Sequence, residues 1–344
     1  MISKNCTNCR LRFDKNAFTT LQSEKNDSLS GLYTSNCVDC CADLQALLAP
    51  VKSVEDDTDR FMRDVSMGIS ITMLAAPAAV NNFPDYRQLF GYLHSLGVRS
   101  FQNVLLRADI TIWAYIELLR CNKQVAFLSS PCAAVTEYIR RHKPKLLPYL
   151  MPVYSPLLCT IIYLQKYHNL TDRIAFLSPC VAKRKELRLL DPHGYNITIN
   201  SLQQYIANHN IDLSKYKTLD FADRSEGTGR TLSVYGSVSE SIAAHLPDRS
   251  FVKISGPDKV YRWLEEYERR IGTDYSLPHL AELYNCRAGC EGGTGINPMR
   301  KKDLEPVDAK WLQLEPNAAD SHRSAAARLF TTFKQTLQLP DFLT

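Results

Sequence analysis

Four cysteines stand in settings that suit metal chemistry. Cys286 and Cys290 form a C-x3-C pair inside Asn285-Cys286-Arg287-Ala288-Gly289-Cys290-Glu291-Gly292-Gly293-Thr294-Gly295. Cys132 and Cys180 each follow a proline, in Ser129-Ser130-Pro131-Cys132 and Ser178-Pro179-Cys180. Four thiolates complete the shell of a [4Fe–4S] cubane, and glycines let backbone approach a bulky inorganic core and offer it amide donors. On spacing alone, zinc fits the same four residues. The plain alternative is that a buried cysteine is a small hydrophobe. That alternative is preferred for Cys159, within Leu157-Leu158-Cys159-Thr160-Ile161-Ile162, and for Cys121 at a helix end. It is weak for a C-x3-C pair beside a glycine-rich turn.

A second set lies in the first 50 residues, which hold five of the eleven cysteines. Cys6-x2-Cys9 and Cys37-x2-Cys40 can close one four-cysteine site, with Cys41 beside it. Paired C-x2-C motifs are a strong metal signal, and zinc and a single iron–sulfur cluster both suit them. The N-terminus lacks the apolar core of a signal peptide, and no stretch approaches the roughly 18 uninterrupted apolar residues of a membrane span. The reading is a cytoplasmic protein without a membrane span. Disulfides are rare in that compartment, so metal binding, catalysis or burial must account for the cysteines.

The elements that must position these residues alternate. Ile71–Ala75, Val125–Leu128 and Ile174–Leu177 are short, mostly apolar runs, each followed by a proline-containing turn. They read as buried strands. Between and after them come helical faces: Tyr86, Leu89, Phe90 and Leu93 with Gly97 as a stop; Ile112, Trp113, Ile116 and Leu119; Leu157, Leu158, Ile161 and Ile162; and Val260, Trp263, Leu264 and Tyr267. The fold class is therefore α/β: two lobes of mostly parallel sheet flanked by helices, with the cofactor between them, plus a small cysteine-rich N-terminal module. The three strand ends resemble one another as apolar strand, small residues, Pro, small residues. In open α/β sheets ligands sit beyond the carboxyl ends of strands, and helix N-termini there favour negative charge.

Length and charge set the outer bounds. The 344 residues allow two or three domains, and 45% hydrophobic residues allow a sizeable core. Net charge is +5, from 41 basic against 36 acidic residues, which is too little to argue for nucleic acid. The division expected is residues 1–52 as the cysteine-rich module, 53–300 as the cofactor domain and 301–344 as a C-terminal helical extension. The acidic stretch Ser53-Val54-Glu55-Asp56-Asp57-Thr58-Asp59 reads as a helix start after a linker. In the extension, Ala326, Phe330, Phe333 and Leu337 share one face of a packing helix.

Taken together and in order, several motifs resemble the catalytic domain of [FeFe]-hydrogenases, most of all the branch that includes sensory hydrogenases. They are Ala75-Ala76-Pro77-Ala78-Ala79-Val80, Arg107-Ala108-Asp109-Ile110-Thr111, Pro131-Cys132 with Val135, Pro179-Cys180-Val181-Ala182-Lys183-Arg184 and Cys286-Arg287-Ala288-Gly289-Cys290-Glu291-Gly292-Gly293. The resemblance implies an H-cluster, in which a [4Fe–4S] cubane is joined through one cysteine to a diiron subcluster carrying CO and cyanide. By position, Cys132, Cys180 and Cys286 would hold the cubane and Cys290 would bridge to the diiron unit. Lys183 would donate to a diiron cyanide, and Ala76, Pro77 and Pro131 would line the diiron pocket. The pattern alone also allows Lys183 to be a surface lysine of the run Lys183-Arg184-Lys185. The implied reaction is reversible oxidation of H₂ to protons and electrons.

The chain departs from the family pattern in places. Pro131 stands where the highly active branch has a proton-relaying cysteine, and Ser178 stands for its methionine. Ile112-Trp113-Ala114-Tyr115 lacks the acids expected after Thr111. Proton transfer needs a group within hydrogen-bond reach, so a slow or sensory hydrogenase is favoured, with Glu117 and Glu291 as candidate substitutes. Expected partners are H₂ or protons and an electron-transfer partner such as ferredoxin or a signalling protein. The second reading is a non-catalytic iron–sulfur protein of the same superfamily, with an assembly or scaffold role. A zinc-stabilised interaction protein ranks third.

Overall fold

Ile71–Ala75 is apolar at four of its five positions and buried at all five, so it can only be an interior strand. It is β1 in a computed structural model that describes residues 56–122, 126–222, 235–272, 276–297 and 318–344. Cys6, Cys9, Cys37, Cys40 and Cys41 lie outside the described residues, as does Val125.

The first sheet runs β2-β1-β4-β5, every pair parallel, with β2 at Val98–Asn103, β4 at Arg173–Ser178 and β5 at Tyr195–Thr198. Its two faces bury different cores, as the two-residue period of a strand requires. Ile71, Met73, Ala75, Ala175 and Leu177 meet one group of helices: α1 (Thr58–Ser66), α3 (Tyr86–Leu96) and α8 (Ile199–Asn208). Leu74, Ile174 and Phe176 meet α6 (Pro156–Ile162) and α7 (Lys183–Leu187) on the other face. The short helix α2 (Pro77–Asn82) opens directly from the end of β1.

The second sheet runs β3-β7-β6, again all parallel, with β3 at Phe127–Leu128, β6 at Phe251–Ser255 and β7 at Leu280–Tyr284. One face packs on α4 (Leu105–Cys121), α9 (Ser237–Ala243) and α11 (Ala318–Thr336); the other packs on α5 (Ala133–His142) and α10 (Pro257–Arg270). The α/β architecture of two parallel sheets flanked by helices is as the sequence predicts. The predicted apolar face of the last helix is buried too: Ala326, Phe330, Phe333 and Leu337 join the core of α4, with the Phe333 ring 5.9 Å from that of Trp113.

Some elements differ from expectation. β3 is only two residues long, although Ser129 extends its ladder through bonds to Ala281 and Leu283 of β7. Helix α4 begins earlier than its apolar face indicated, and the apolar run ending at Ile162 continues as a wider turn through Tyr167. Four strands, β2, β5, β6 and β7, carry polar or charged residues that hid them. No helix among the described residues is long and apolar enough to cross a membrane.

One buried carboxylate ties the first lobe together. Asp57, 2% exposed, accepts from Arg184 Nε at 3.1 Å and Nη2 at 2.9 Å, from Arg188 Nη2 at 3.1 Å and from the Asn196 amide at 3.1 Å. Burial works against its charge, but the Arg184 bonds, the Asn196 amide and the Arg60 charge hold its pKa below the usual value. Its stabilisation is therefore full above about pH 4 and is lost as pH falls through the lower folded value. Asp57→Asn should lower stability at neutral pH by about 2 kcal/mol, between the magnitudes for exposed and buried pairs because the arginines are part-exposed. Urea melts from pH 7 to pH 3 check this: the wild-type advantage should shrink toward the acid end.

Candidate metal centre

Parallel strands end on the same side, and here the ends carry the chemistry. In the first sheet Ala75 lies opposite Leu177, so Ala76-Pro77 and Ser178-Pro179-Cys180 emerge together, and the Ala76 N–H donates to Leu177 O at 3.0 Å. In the second sheet Leu128 lies opposite Ala281, which brings Pro131-Cys132 to the same end as Asn285-Cys286. Cys132 caps the N-terminus of α5. Ser178 does not occupy the site as a packing side chain. Its hydroxyl closes the turn, accepting from Cys180 N at 3.1 Å and donating to Cys180 O at 3.0 Å.

The third loop joins the two lobes. Asn285 N–H points to Cys132 Sγ at 3.5 Å, and Asn285 Nδ2 lies 3.8 Å from Cys286 Sγ while Tyr261 holds its carbonyl at 2.8 Å. The Thr294 hydroxyl lies 3.8 Å from Cys180 Sγ, accepts from Val181 N at 3.1 Å, and is followed by a Gly295 N–H that donates to Pro179 O at 2.7 Å. Asn285 and Thr294 are neighbours of the cysteine sulfurs that sequence reasoning passed over; the signal available was only their position beside the cysteines.

The thiols share one electrostatic environment. Burial pushes the Cys180 thiol up to about 11, and the nearby Cys132 adds to this. Burial, then Cys132, push Cys290 further still. Cys132 is also raised by burial, with the amides of Asn285, Val135 and Ala134 and the charge of Lys183 acting against the rise. Several sulfurs that resist becoming anions together call for a compensating cation, which iron supplies and amides and Lys183 assist. The donor set thus fits an iron–sulfur group held by Cys132, Cys180, Cys286 and Cys290. Among the described residues no three His, Cys, Asp or Glu side chains converge as ligands of one ion would.

Lys183 is not a surface lysine. It is 9% exposed, donates to Pro131 O at 3.0 Å and pairs with Glu186. Burial opposes its charge, but Glu186 and the sulfurs of Cys290 and Cys180 hold its pKa above the ordinary value. Its neighbours in the basic run point elsewhere: Arg184 to Asp57, Lys185 to Glu137. Pro131 and Ala76 are buried and Pro77 half-buried at the strand ends. Glu117 pairs with Arg120 and Lys334, each at 2.9 Å, on the side of α4 that meets α11. Glu291 is buried next to Cys290.

Cys121 is a correction: it is exposed rather than a core residue. Cys159 is fully buried, as expected, and burial pushes its thiol up to about 12. Gly293 and Gly295 serve close approach to the first lobe: a Cβ at Gly293 would meet Pro179 O at 2.1 Å, and one at Gly295 would meet Thr198 Cβ at 2.9 Å and the Pro179 carbonyl carbon at 3.0 Å.

Residues 70–294 match the family described as iron only hydrogenase large subunit, C-terminal domain. No curated protein matches the chain. Among solved structures, the chain is similar to an [FeFe]-hydrogenase studied for oxygen inactivation through modification and degradation of its H cluster 2Fe subcluster. Identity is 15% and TM-score 0.54, covering 79% of this chain and 88% of that one. It is similar to a variant of the [FeFe]-hydrogenase HydA1 from Chlamydomonas reinhardtii at 14% identity and TM-score 0.52, with the same coverages of 79% and 88%. A structure of HydA(deltaEFG), concerned with stepwise H-cluster assembly, is similar at 14% identity and TM-score 0.52, covering 83% of this chain and 91% of that one. At these identities the likeness is one of fold.

The Gly293 contact is testable. Gly293→Ala should force the third loop off the Pro179 backbone and destabilise the protein by about 1–3 kcal/mol, the usual range for overpacking. A thermal or urea melt of the metal-free protein reads it.

Proposed function

Because the chain belongs to the iron only hydrogenase large subunit, C-terminal domain family, we propose that it carries an H-cluster and catalyses reversible oxidation of H₂ to protons and electrons, slowly or as a sensor. One observation carries the reading: the loops that bear Cys132, Cys180 and the Cys286–Cys290 pair meet at the strand ends, where the buried Lys183 amine donates to Pro131 O at 3.0 Å, the Asn285 N–H lies 3.5 Å from Cys132 Sγ and the Thr294 hydroxyl 3.8 Å from Cys180 Sγ. Cys132, Cys180 and Cys286 would hold the cubane, and Cys290 would join it to the diiron unit. When bound, the group supplies the redox centre that exchanges electrons with H₂ and protons.

The chain's own residues would do the rest. Lys183 presents a cation and a donor to an anionic ligand in a site shielded from water, where such a bond is stronger than in solvent. Pro131, buried and carrying no proton donor, holds Lys183 through its carbonyl. Ala76 and Pro77 would wall the diiron side. Electrons would leave to ferredoxin or a signalling protein, through an iron–sulfur cluster if Cys6, Cys9, Cys37 and Cys40 bind one. If those residues bind zinc, that relay is broken.

The second reading is an iron–sulfur protein of the same superfamily without the diiron unit. Pro131 favours it, since it offers no proton relay, and so does Glu117, which is committed to Arg120 and Lys334. Anaerobic reconstitution followed by maturation with a diiron precursor separates the two. The first reading expects infrared CO and cyanide bands together with H₂-dependent dye reduction. A protein with an intact cubane, no such bands and no H₂ activity is of the second kind. Cys132→Ala, Cys180→Ala and Cys286→Ala should each lose about four iron atoms per chain, one cubane's complement. Lys183→Met should keep the cubane absorbance and lose the diiron bands.

A further inference from the structure

Tyr284 is the last residue of β7, two positions before Cys286. It is 2% exposed, and its hydroxyl is buried with no hydrogen-bond partner among the described residues. A buried tyrosine hydroxyl normally finds a partner, and leaving one without is unfavourable by the desolvation of the group. Glu282, Cys290, Cys132 and Tyr115 all act on it electrostatically.

The two oxygen-bearing neighbours are engaged elsewhere. Glu282, fully buried on the same face of β7, accepts from the amides of Gly236, Val238 and Ser239 at 3.2, 3.3 and 2.8 Å, at the start of α9. The Tyr115 hydroxyl exchanges bonds with Ser130, Oγ and N each at 2.8 Å. β7 ends here and runs straight into the loop that carries Cys286 and Cys290, so the partner left for this hydroxyl is the group those cysteines would hold. A phenol carries one donor proton at neutral pH, and the acceptors an iron–sulfur or diiron group offers are electron-rich: cysteinyl or inorganic sulfur, or cyanide.

We propose that the Tyr284 hydroxyl is a hydrogen-bond donor to the inorganic group carried by Cys132 and Cys290, a positioning and tuning residue that this chain adds to its cysteines and Lys183. The inference rests on the reading that the site binds such a group. Hydrogen bonds to cluster sulfur set the reduction potential, since they favour the more negative reduced state.

Tyr284→Phe removes the donor and little else. Three measurements test it, on the full chain. First, the metal-free variant should keep the urea midpoint of the wild type or exceed it, because no protein partner is lost. A lower midpoint would mean that the hydroxyl serves the protein scaffold, and would overturn the inference. Second, in protein carrying the cubane alone, redox-monitored electron paramagnetic resonance should give a more negative potential than wild type if the acceptor is a cubane or cysteinyl sulfur. Third, in diiron-loaded protein, the CO and cyanide bands should move to lower wavenumber if the acceptor lies on the diiron unit. Iron content should equal that of wild type in both forms.

Unchanged potential together with unchanged bands overturns the inference while the hydrogenase reading stands. Wild-type protein that holds a cubane but shows no CO or cyanide bands removes the hydrogenase reading, and the potential then decides the inference alone. Wild-type protein that takes up no iron–sulfur group ends both.

Discussion

The constraint on which the rest of this structure depends is electrostatic: thiols from separate parts of the chain lie away from water, and holding an iron–sulfur group, as proposed, would require them to become anions close together. Opposing charges at short range in a low dielectric interact strongly, and like charges repel as strongly. Each of Cys132, Cys180 and Cys290 is pushed up by burial, and Cys132 raises the other two further. The fold answers with groups aimed at sulfur: the Asn285 amide and the start of α5 at Cys132, the Thr294 hydroxyl at Cys180, and the Lys183 ammonium among them. Parallel sheets suit this task. All their strands finish on one side, so two sheets placed with their carboxyl ends together deliver Cys180 from one lobe, and Cys132 and Cys286 from the other.

That arrangement makes the position of α7 critical, because its first residue is Lys183. A five-residue helix has little stability of its own. Here Arg184 and Arg188 reach from it to Asp57, whose carboxylate also accepts from Asn196 in β5, and Leu187 fills the core beside β4 and α6. The segment leading into α1 thereby fixes a helix at the site, although the two are more than a hundred residues apart in sequence. An acidic stretch that reads as a helix start after a linker thus supplies a buried anchor.

The parts of the fold that were legible in the sequence are those whose burial is apolar. β1 and β4 announce themselves as apolar runs ending in proline turns, and α3 and α10 as faces of regular period. β7 was hidden by Glu282, because a charge inside a strand argues against burial until α9 supplies the three amides that receive it. β2 and β6 carry Arg99 and Lys253 on sheet edges, and β5 is polar at Asn196 and Thr198. The site cysteines were legible for a local reason, since a proline turn or a glycine loop beside a cysteine is a sequence feature. Their helpers were not. Asn285 and Thr294 matter only because tertiary folding turns them toward sulfur, and Tyr284 only because it leaves a hydroxyl buried without a partner beside them. Gly293 was legible as a glycine that something approaches, but what approaches is the Pro179 carbonyl, a contact between lobes that no local pattern encodes.

Lys183 shows how such a site can exist before its ligand arrives. A buried ammonium without partners would be neutralised by losing its proton. This one already has Glu186 and the Pro131 carbonyl, and Glu186 itself faces a cavity of about 270 Å³ that Ser130, Glu137, Ala182 and Lys185 also line. Its charge is therefore compensated by Glu186 at the cavity while it also acts on Cys180 and Cys290. An anionic group binding to those sulfurs meets a cation whose desolvation and orientation were settled during folding, so little reorganisation is needed at the moment of binding. The same preorganisation holds whether the bound group turns over H₂ or only reports on it. The features that would separate those roles lie instead around Pro131 and α4.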